Sequence, residues 1–298
     1  LKYCFYSWRH PESRDFISRG LGLAARRWRC ARQWEPHLKL SRRFQQSAIG
    51  TRARSGSALV LGAGRLYDLD TEALAAVFSR IVFYDADPSA AAAWRAFARR
   101  FPNVTVASKI GDITEALDSW SRRLEEFIAA RPASSCQVAT FLNALKAPPP
   151  VAATPDAQII ISLNMISQIT PFWRDRCRLA LRGFAPAACH TAETLSAEID
   201  AAIEHSCRIL LESHFKMLNQ SAAEQIIIIL DLEHYYYRDD SAAWESQAAL
   251  PIEFSPFLLP AYHIEAYDTW LWHVIPQNIN PDGYGVFHRV GAFDFRRS

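Results

Sequence analysis

The chain has 298 residues, half of them apolar and 21% charged, with a formal net charge of +2. That balance bounds one large globular core with room for an appendage and excludes a disordered or fibrous chain. No apolar run approaches the roughly 20 residues that cross a bilayer, so a soluble, cytoplasmic protein without a membrane partner is expected.

Residues 1–54 hold thirteen Lys/Arg against Glu12, Asp15 and Glu35, giving +10 where the remainder carries −8. Such an arm either binds RNA or another polyanion, or forms an amphipathic helical cap on the acidic body. Leu23, Trp28, Trp34, Leu38 and Phe44 repeat loosely at helical spacing and favour the cap. An Arg-rich transit peptide fits less well, because "YSWRHPESRDF" reads as folded or docking sequence. Six cysteines (Cys4, Cys30, Cys136, Cys177, Cys189, Cys207) stand far apart without a CxxC pair, and no apolar secretory segment precedes them. They are expected to be reduced rather than part of a disulfide or zinc framework.

The small, polar stretch "TRARSGS" at 51–57 marks a linker, so the organisation expected is a basic cap over 1–54 and a core over 55–298. "ALVLGAG" then reads as a strand buried on both faces, "TEALAAVFSR" as a helix and "RIVFYDAD" as a second strand. "PSAAAAWRAFARRF" is a helix with Pro88 at its start, "NVTVASKIGD" a third strand, and "ITEALDSWSRRLEEFIAA" a helix with an apolar stripe. Residues 132–156, including "APPP", form a loop with one short helix. "AQIIISLN" is the fourth strand, followed by a helix capped by Thr170 with Pro171 in its first turn and Gly183 at its end. A helical stretch from about Thr191 to Leu218 leads to the fifth strand, "EQIIIILDLE". "DTWLWHVIP" and "YGVFHRVGAFDF" close the sheet as an antiparallel pair across the turn "QNINPDGYG". Alternating strands and helices imply an α/β fold: seven strands, mostly parallel and helix-covered, with a C-terminal antiparallel hairpin and a basic helical N-terminal extension.

Three strand ends carry the chemistry. Gly62 and Gly64 would let backbone approach a ligand after the first strand. Asp85 ends the second strand 23 residues after Gly62, near the offset of an acid that accepts ribose hydroxyl protons. Asp112 ends the third strand, where it either reads an adenine amino group or caps the helix near Thr114.

In these features the chain resembles the class I S-adenosylmethionine-dependent methyltransferases over about residues 55–296. The residues that carry the resemblance are "VLGAGRLYD", "VFYDADP", "IGDIT" and "IISLNMIS", together with the seven-strand order and terminal hairpin. The resemblance implies S-adenosylmethionine as cofactor. Gly62 and Gly64 would lie against its methionine and ribose portions, Asp85 would hold the ribose hydroxyls, and Asp112 with Ile113 would flank adenine. The chain departs from the family pattern at Val60, where an acid is usual, and at Leu66, where a third glycine is usual; Asp68 or Arg65 could serve the methionine end instead. A nicotinamide-binding oxidoreductase is the nearest competitor, but the Trp-rich terminal hairpin suits the methyltransferase pattern better.

Catalytic candidates lie past the fourth and fifth strands. Asn164 could orient an acceptor, with Gln168 on its face; "DLEHYYYRDD" offers His234 as a base and Tyr235 as an aromatic contact. His273 and His288, within the terminal strands, are expected to be interior or edge residues. His190, His205 and His214 lack ligand spacing, so no metal is expected. The acceptor expected is a small molecule or peptide, with RNA as the alternative carried by residues 1–54, and a non-catalytic binding protein as a third. "RQWEPHLKLSRRF" could act as a lid over the cofactor.

Overall fold

A computed structural model describes residues 14–50, 55–132, 134–147, 157–182, 197–238 and 244–298. The segment "YSWRHPESRDF" up to residue 13, Arg52 and Arg54 of the linker, most of "APPP", Gly183, Cys4, Cys189, His190 and the helix start at Thr191 lie outside them.

Two helices come first, α1 (Arg14–Arg29) and α2 (Ala31–Ile49). The core follows as β1 (Ser57–Leu61), α3 (Thr71–Val77), β2 (Arg80–Asp85), α4 (Ala91–Arg100), β3 (Thr105–Ile110), α5 (Leu117–Ala129) and α6 (Ser135–Asn143). Next come β4 (Ile159–Leu163), α7 (Ile166–Leu181), α8 (Ala197–Gln220), β5 (Gln225–Tyr237), β6 (Glu245–Ala248), β7 (Tyr262–Ile275) and β8 (Gly285–Arg297).

One sheet takes the order β3-β2-β1-β4-β5-β8-β7, parallel through β5 and antiparallel beyond it. This is the expected architecture with one addition: β6 pairs antiparallel with β5, making eight strands, from a polar sequence that carries no strand pattern. β1 and β4 are buried along their whole length, and so is the start of β5, as helix-covered parallel strands must be.

Each face has its own core. Helices α5 to α8 cover one, where Trp120 and Trp173 meet edge-to-face at 5.4 Å. On the other, α2, α3 and α4 cover the sheet: Trp94 and Phe97 of α4 pack against Phe83 of β2, and Trp34 of α2 meets Trp272 of β7 edge-to-face at 4.8 Å. Trp34, Leu38 and Phe44 of the predicted apolar stripe are buried; Trp28 is not, at 83% exposed, and neither is Leu23. The helix predicted from Thr170 begins one turn earlier, at Ile166, so that Pro171 lies inside it and costs the hydrogen bond its missing N–H would have made. No disulfide joins the described cysteines, and no described helix is long and apolar enough to cross a membrane.

Candidate functional site

The turn after β1 can be made only with positive φ. Gly62 has φ +67°, and a Cβ there would lie 2.6 Å from the Leu163 carbonyl oxygen and 2.9 Å from Met165 Cβ, so the ends of β1 and β4 exclude any side chain. Gly64 (φ +44°) differs: a Cβ there would meet nothing closer than 3.9 Å, and its bare backbone faces open space. Leu66, standing where the family pattern has glycine, keeps the glycine conformation at φ 61°. Holding a leucine there costs about 1–2 kcal/mol.

At the end of β2, Asp85 is fixed by backbone. Its Oδ2 accepts from Gly64 N at 2.8 Å and its Oδ1 from Asp87 N at 2.8 Å. Burial nevertheless pushes its carboxyl up to about 6 against those amides. Asp87 accepts from the N–H and hydroxyl of Ser89, and Arg65 Nη2 donates to the same hydroxyl at 2.8 Å. Arg65 is thus engaged with the Ser89–Asp87 pair. After β3, Asp112 accepts from Thr114 N at 2.9 Å and Leu117 N at 2.7 Å. It thus holds the turn that leads into α5 and accepts from the first N–H of that helix, and Ile113 beside it presents apolar surface to the cavity at the strand ends.

These strand ends open onto one cavity of about 470 Å³, within the usual range for a small-molecule site. Gly62, Gly64, Asp85, Asp112 and Ile113 all line it, as do Asn164 and Gln168. The first two helices form its roof: Phe16 stacks on Phe172 at 4.2 Å, Arg19 pairs with Asp175, and Arg176 Nε stands 3.0 Å from Asp15. Trp34 Nε1 donates to the Val274 carbonyl at 2.8 Å, while Ser41 and Gln45 hold the Asp68 carbonyl. Gly20 sits so close to the β2 loop that a Cβ would fall 1.8 Å from Asp87 Oδ2.

The end of the cavity away from Asp112 is polar. Asn164 adopts φ 50°, and its Nδ2 donates to Asp68 Oδ2 at 2.7 Å, so Asn164 holds Asp68 at the cavity wall and does not cap a helix. His37 accepts from Trp270 Nε1 at 3.0 Å through Nδ1 and stacks on Trp272 at 4.2 Å. Burial lowers its imidazole to about 4, leaving a neutral ring with its proton on Nε2. Asp231, 1% exposed, stands 3.2 Å from the Ser167 hydroxyl and 3.1 Å from His288 Nδ1. The His234 ring stacks over His288 at 4.1 Å.

Two expectations change here. Tyr235 is not on the cavity wall: its hydroxyl bonds Glu233, which pairs with Arg289 at 2.8 Å. His288, expected to be a plain interior residue, lines the cavity beside Asp231. The first change follows from a bulge in the β5–β8 pairing between Asp231 and Glu233, which shifts the alternation along β5 by one residue; His288 stands two residues from Val290, the partner of Asp231, and so shares its face. His234 thereby joins the Asp231 side, and Tyr235 joins Glu233 on the other. His273 faces that outer side too, 2.9 Å from the Tyr237 hydroxyl. Asp68, which the sequence offered for the methionine end, lies in the loop between β1 and α3, and Asp231 follows the apolar run that opens β5; His37 was visible only as part of a lid.

No protein-family model and no curated protein matches the chain. Solved structures that resemble it include a provisionally assigned methyltransferase from Bacillus halodurans, 10% identical, covering 85% of this chain and 96% of that one at a TM-score of 0.40. The YcgJ protein of Bacillus subtilis is 10% identical over 90% and 99% of the two chains, with a TM-score of 0.38. An S-adenosylmethionine-dependent methyltransferase from Aquifex aeolicus is 8% identical over 84% and 86%, with a TM-score of 0.35. Similarity at that level assigns neither ligand nor reaction.

Proposed function

We propose that the chain is an S-adenosylmethionine-dependent methyltransferase acting on a small-molecule or peptide acceptor. One observation carries the reading: the glycine turn, the β2 acid and the β3 end meet in a single roofed cavity whose opposite end holds a separate polar cluster. The residues fit the cofactor. Gly64 leaves the space a side chain would fill, Asp85 keeps lone pairs free beyond its two backbone donors, and Ile113 offers a flat apolar contact for a base.

When bound, S-adenosylmethionine supplies an electrophilic methyl group on a sulfonium. The residues of the chain then position and exclude. Asp85 accepts the ribose hydroxyl protons, and the Gly62–Gly64 backbone permits close approach. Phe172, Leu38, Trp34 and Trp272 keep water from the reacting atoms, which suits a displacement limited mainly by alignment. At the acceptor end His37 offers an Nε2–H donor, and Asp68, braced by Asn164, an acceptor. Any proton that the acceptor must lose is handled at Asp231 and His288, which line the cavity; His234, the base expected from sequence, stacks on His288 off the cavity wall.

The roof favours a small acceptor over RNA, since Phe16, Arg19 and Trp34 of the basic helices are engaged in closing the cavity. Calorimetry with S-adenosylmethionine and its demethylated product tests the proposal. Binding that Asp85→Ala abolishes is expected; no binding at millimolar ligand, or binding indifferent to Asp85→Ala, would overturn it.

A further inference from the structure

Three metal-type donors converge at the acceptor end. One ligand atom each from Asp231, His234 and His288 lies within 4.8 Å of the other two. Sequence spacing hides the group, because Asp231 and His234 sit on β5 while His288 comes from β8, directly opposite His234 in the register. The bulge after Asp231 is what brings residues 231 and 234 to one side of the sheet.

Hydrogen bonding among the described residues does not account for this arrangement. Asp231 Oδ1, His234 Nε2 and His288 Nδ1 are all buried and without a hydrogen-bond partner there. His288 Nδ1 does approach Asp231 Oδ2 to 3.1 Å, but off the line that an N–H donor needs. Buried polar atoms left unpaired cost about 1–3 kcal/mol each, so three within so small a group of residues call for partners. A cation held by the group would supply one.

The donor set limits which cation. Two imidazole nitrogens and one carboxylate oxygen suit zinc and its divalent first-row neighbours, whereas calcium and magnesium require mostly oxygen. The Ser167 hydroxyl, 3.2 Å from Asp231 Oδ2, would orient the carboxylate in the way outer partners steady metal ligands. Three protein donors leave positions vacant, and Asp231 and His288 both line the cavity.

We infer that Asp231, His234 and His288 bind a divalent transition-metal ion, and that the acceptor joins it through a hydroxyl or thiol whose proton the metal makes easier to lose. The metal site stands on its own geometry; the acceptor clause rests on the methyltransferase reading. The test strips the full chain with chelator and titrates it with Zn²⁺ by calorimetry and with Co²⁺ by visible absorption. One ion per chain is expected, with a tetrahedral-type cobalt spectrum. His288→Gln and Asp231→Asn should each weaken binding by at least about 100-fold, at or beyond the upper end for loss of an outer partner. His273→Gln, on the outer face, should change nothing. Circular dichroism on the metal-free variants separates lost ligation from lost fold, and His234→Gln supplies a third variant should one fail to fold. No stoichiometric binding by the wild type, or binding unaltered in folded variants, overturns the site. S-adenosylmethionine binding to the same metal-free protein separates the two readings: cofactor binding without metal binding sinks only this inference, and metal binding without cofactor binding sinks only the acceptor clause.

Discussion

Replacing Asp85 with asparagine separates what the carboxylate does for the ligand from what it does to the fold. Its carboxyl is raised from 3.8 to about 6, chiefly by burial. A folded-state value above the unfolded one means that stability is full below pH 4 and lost as pH rises through about 6. The penalty at neutral pH is about 3 kcal/mol, from about 1.4 kcal/mol per unit. Asparagine removes that penalty, but it turns an amide NH2 toward one of the two backbone donors, Gly64 N or Asp87 N, at a cost of about 1–3 kcal/mol. The terms nearly cancel at pH 7.5, and only the cost survives at pH 4. Urea denaturation should therefore show the stability difference between variant and wild type moving in the variant's favour by about 2–3 kcal/mol from pH 4 to pH 7.5. Cofactor affinity should meanwhile fall at least about tenfold at pH 7.5, since each charge-assisted hydrogen bond is worth about 1.5–3 kcal/mol. A pH-independent difference would refute the burial argument, and unchanged affinity would refute the ribose role.

The two turn glycines should respond differently to alanine. Gly62→Ala, forced against the Leu163 carbonyl, should lose about 2–4 kcal/mol in chemical denaturation, whereas Gly64→Ala should lose only about 1 kcal/mol for its φ while cutting cofactor affinity in calorimetry. His214, 3% exposed and with neither ring nitrogen partnered among the described residues, is lowered by burial to about 3. Its contribution is intact above the unfolded value near 6.5 and is lost as pH falls toward 3. His214→Leu should accordingly raise the urea midpoint, by about 1–3 kcal/mol in stability, and flatten the acid limb between pH 6.5 and 4. Gly20→Val should push α1 off the Asp87 loop; faster cofactor dissociation in stopped flow with an unchanged far-ultraviolet spectrum is the expected result.

Much of the fold was legible because buried parallel strands and amphipathic helices announce themselves by period, and the ends of β1, β2 and β3 follow once the strands are placed. Gly62, Gly64, Asp85 and Asp112 were reached that way and Ile113 through the family resemblance, and the cavity wall holds all five. The Asp231 end of the cavity was harder. Alternation along β5 assigns faces only if no residue is inserted, and the bulge beside Leu232 has no signature in "LDLEHYYY". The partnership of His288 with Asp231 depends on antiparallel register between segments more than fifty residues apart, which hydrophobic pattern does not encode. Leu66 misled in the opposite direction: the residue type departs from glycine although the backbone conformation does not.

The cavity wall begins with Phe16 and ends with His288, almost the full span of the chain. During synthesis the roof helices therefore emerge long before the floor they will cover, and their apolar undersides must wait for β7 and β8. Contacts of such long sequence separation form late and slowly. A ribosome-bound or truncated chain would carry the glycine turn and the β2 acid but no enclosed site, so ligand-dependent protection from proteolysis would report the arrival of the last strand.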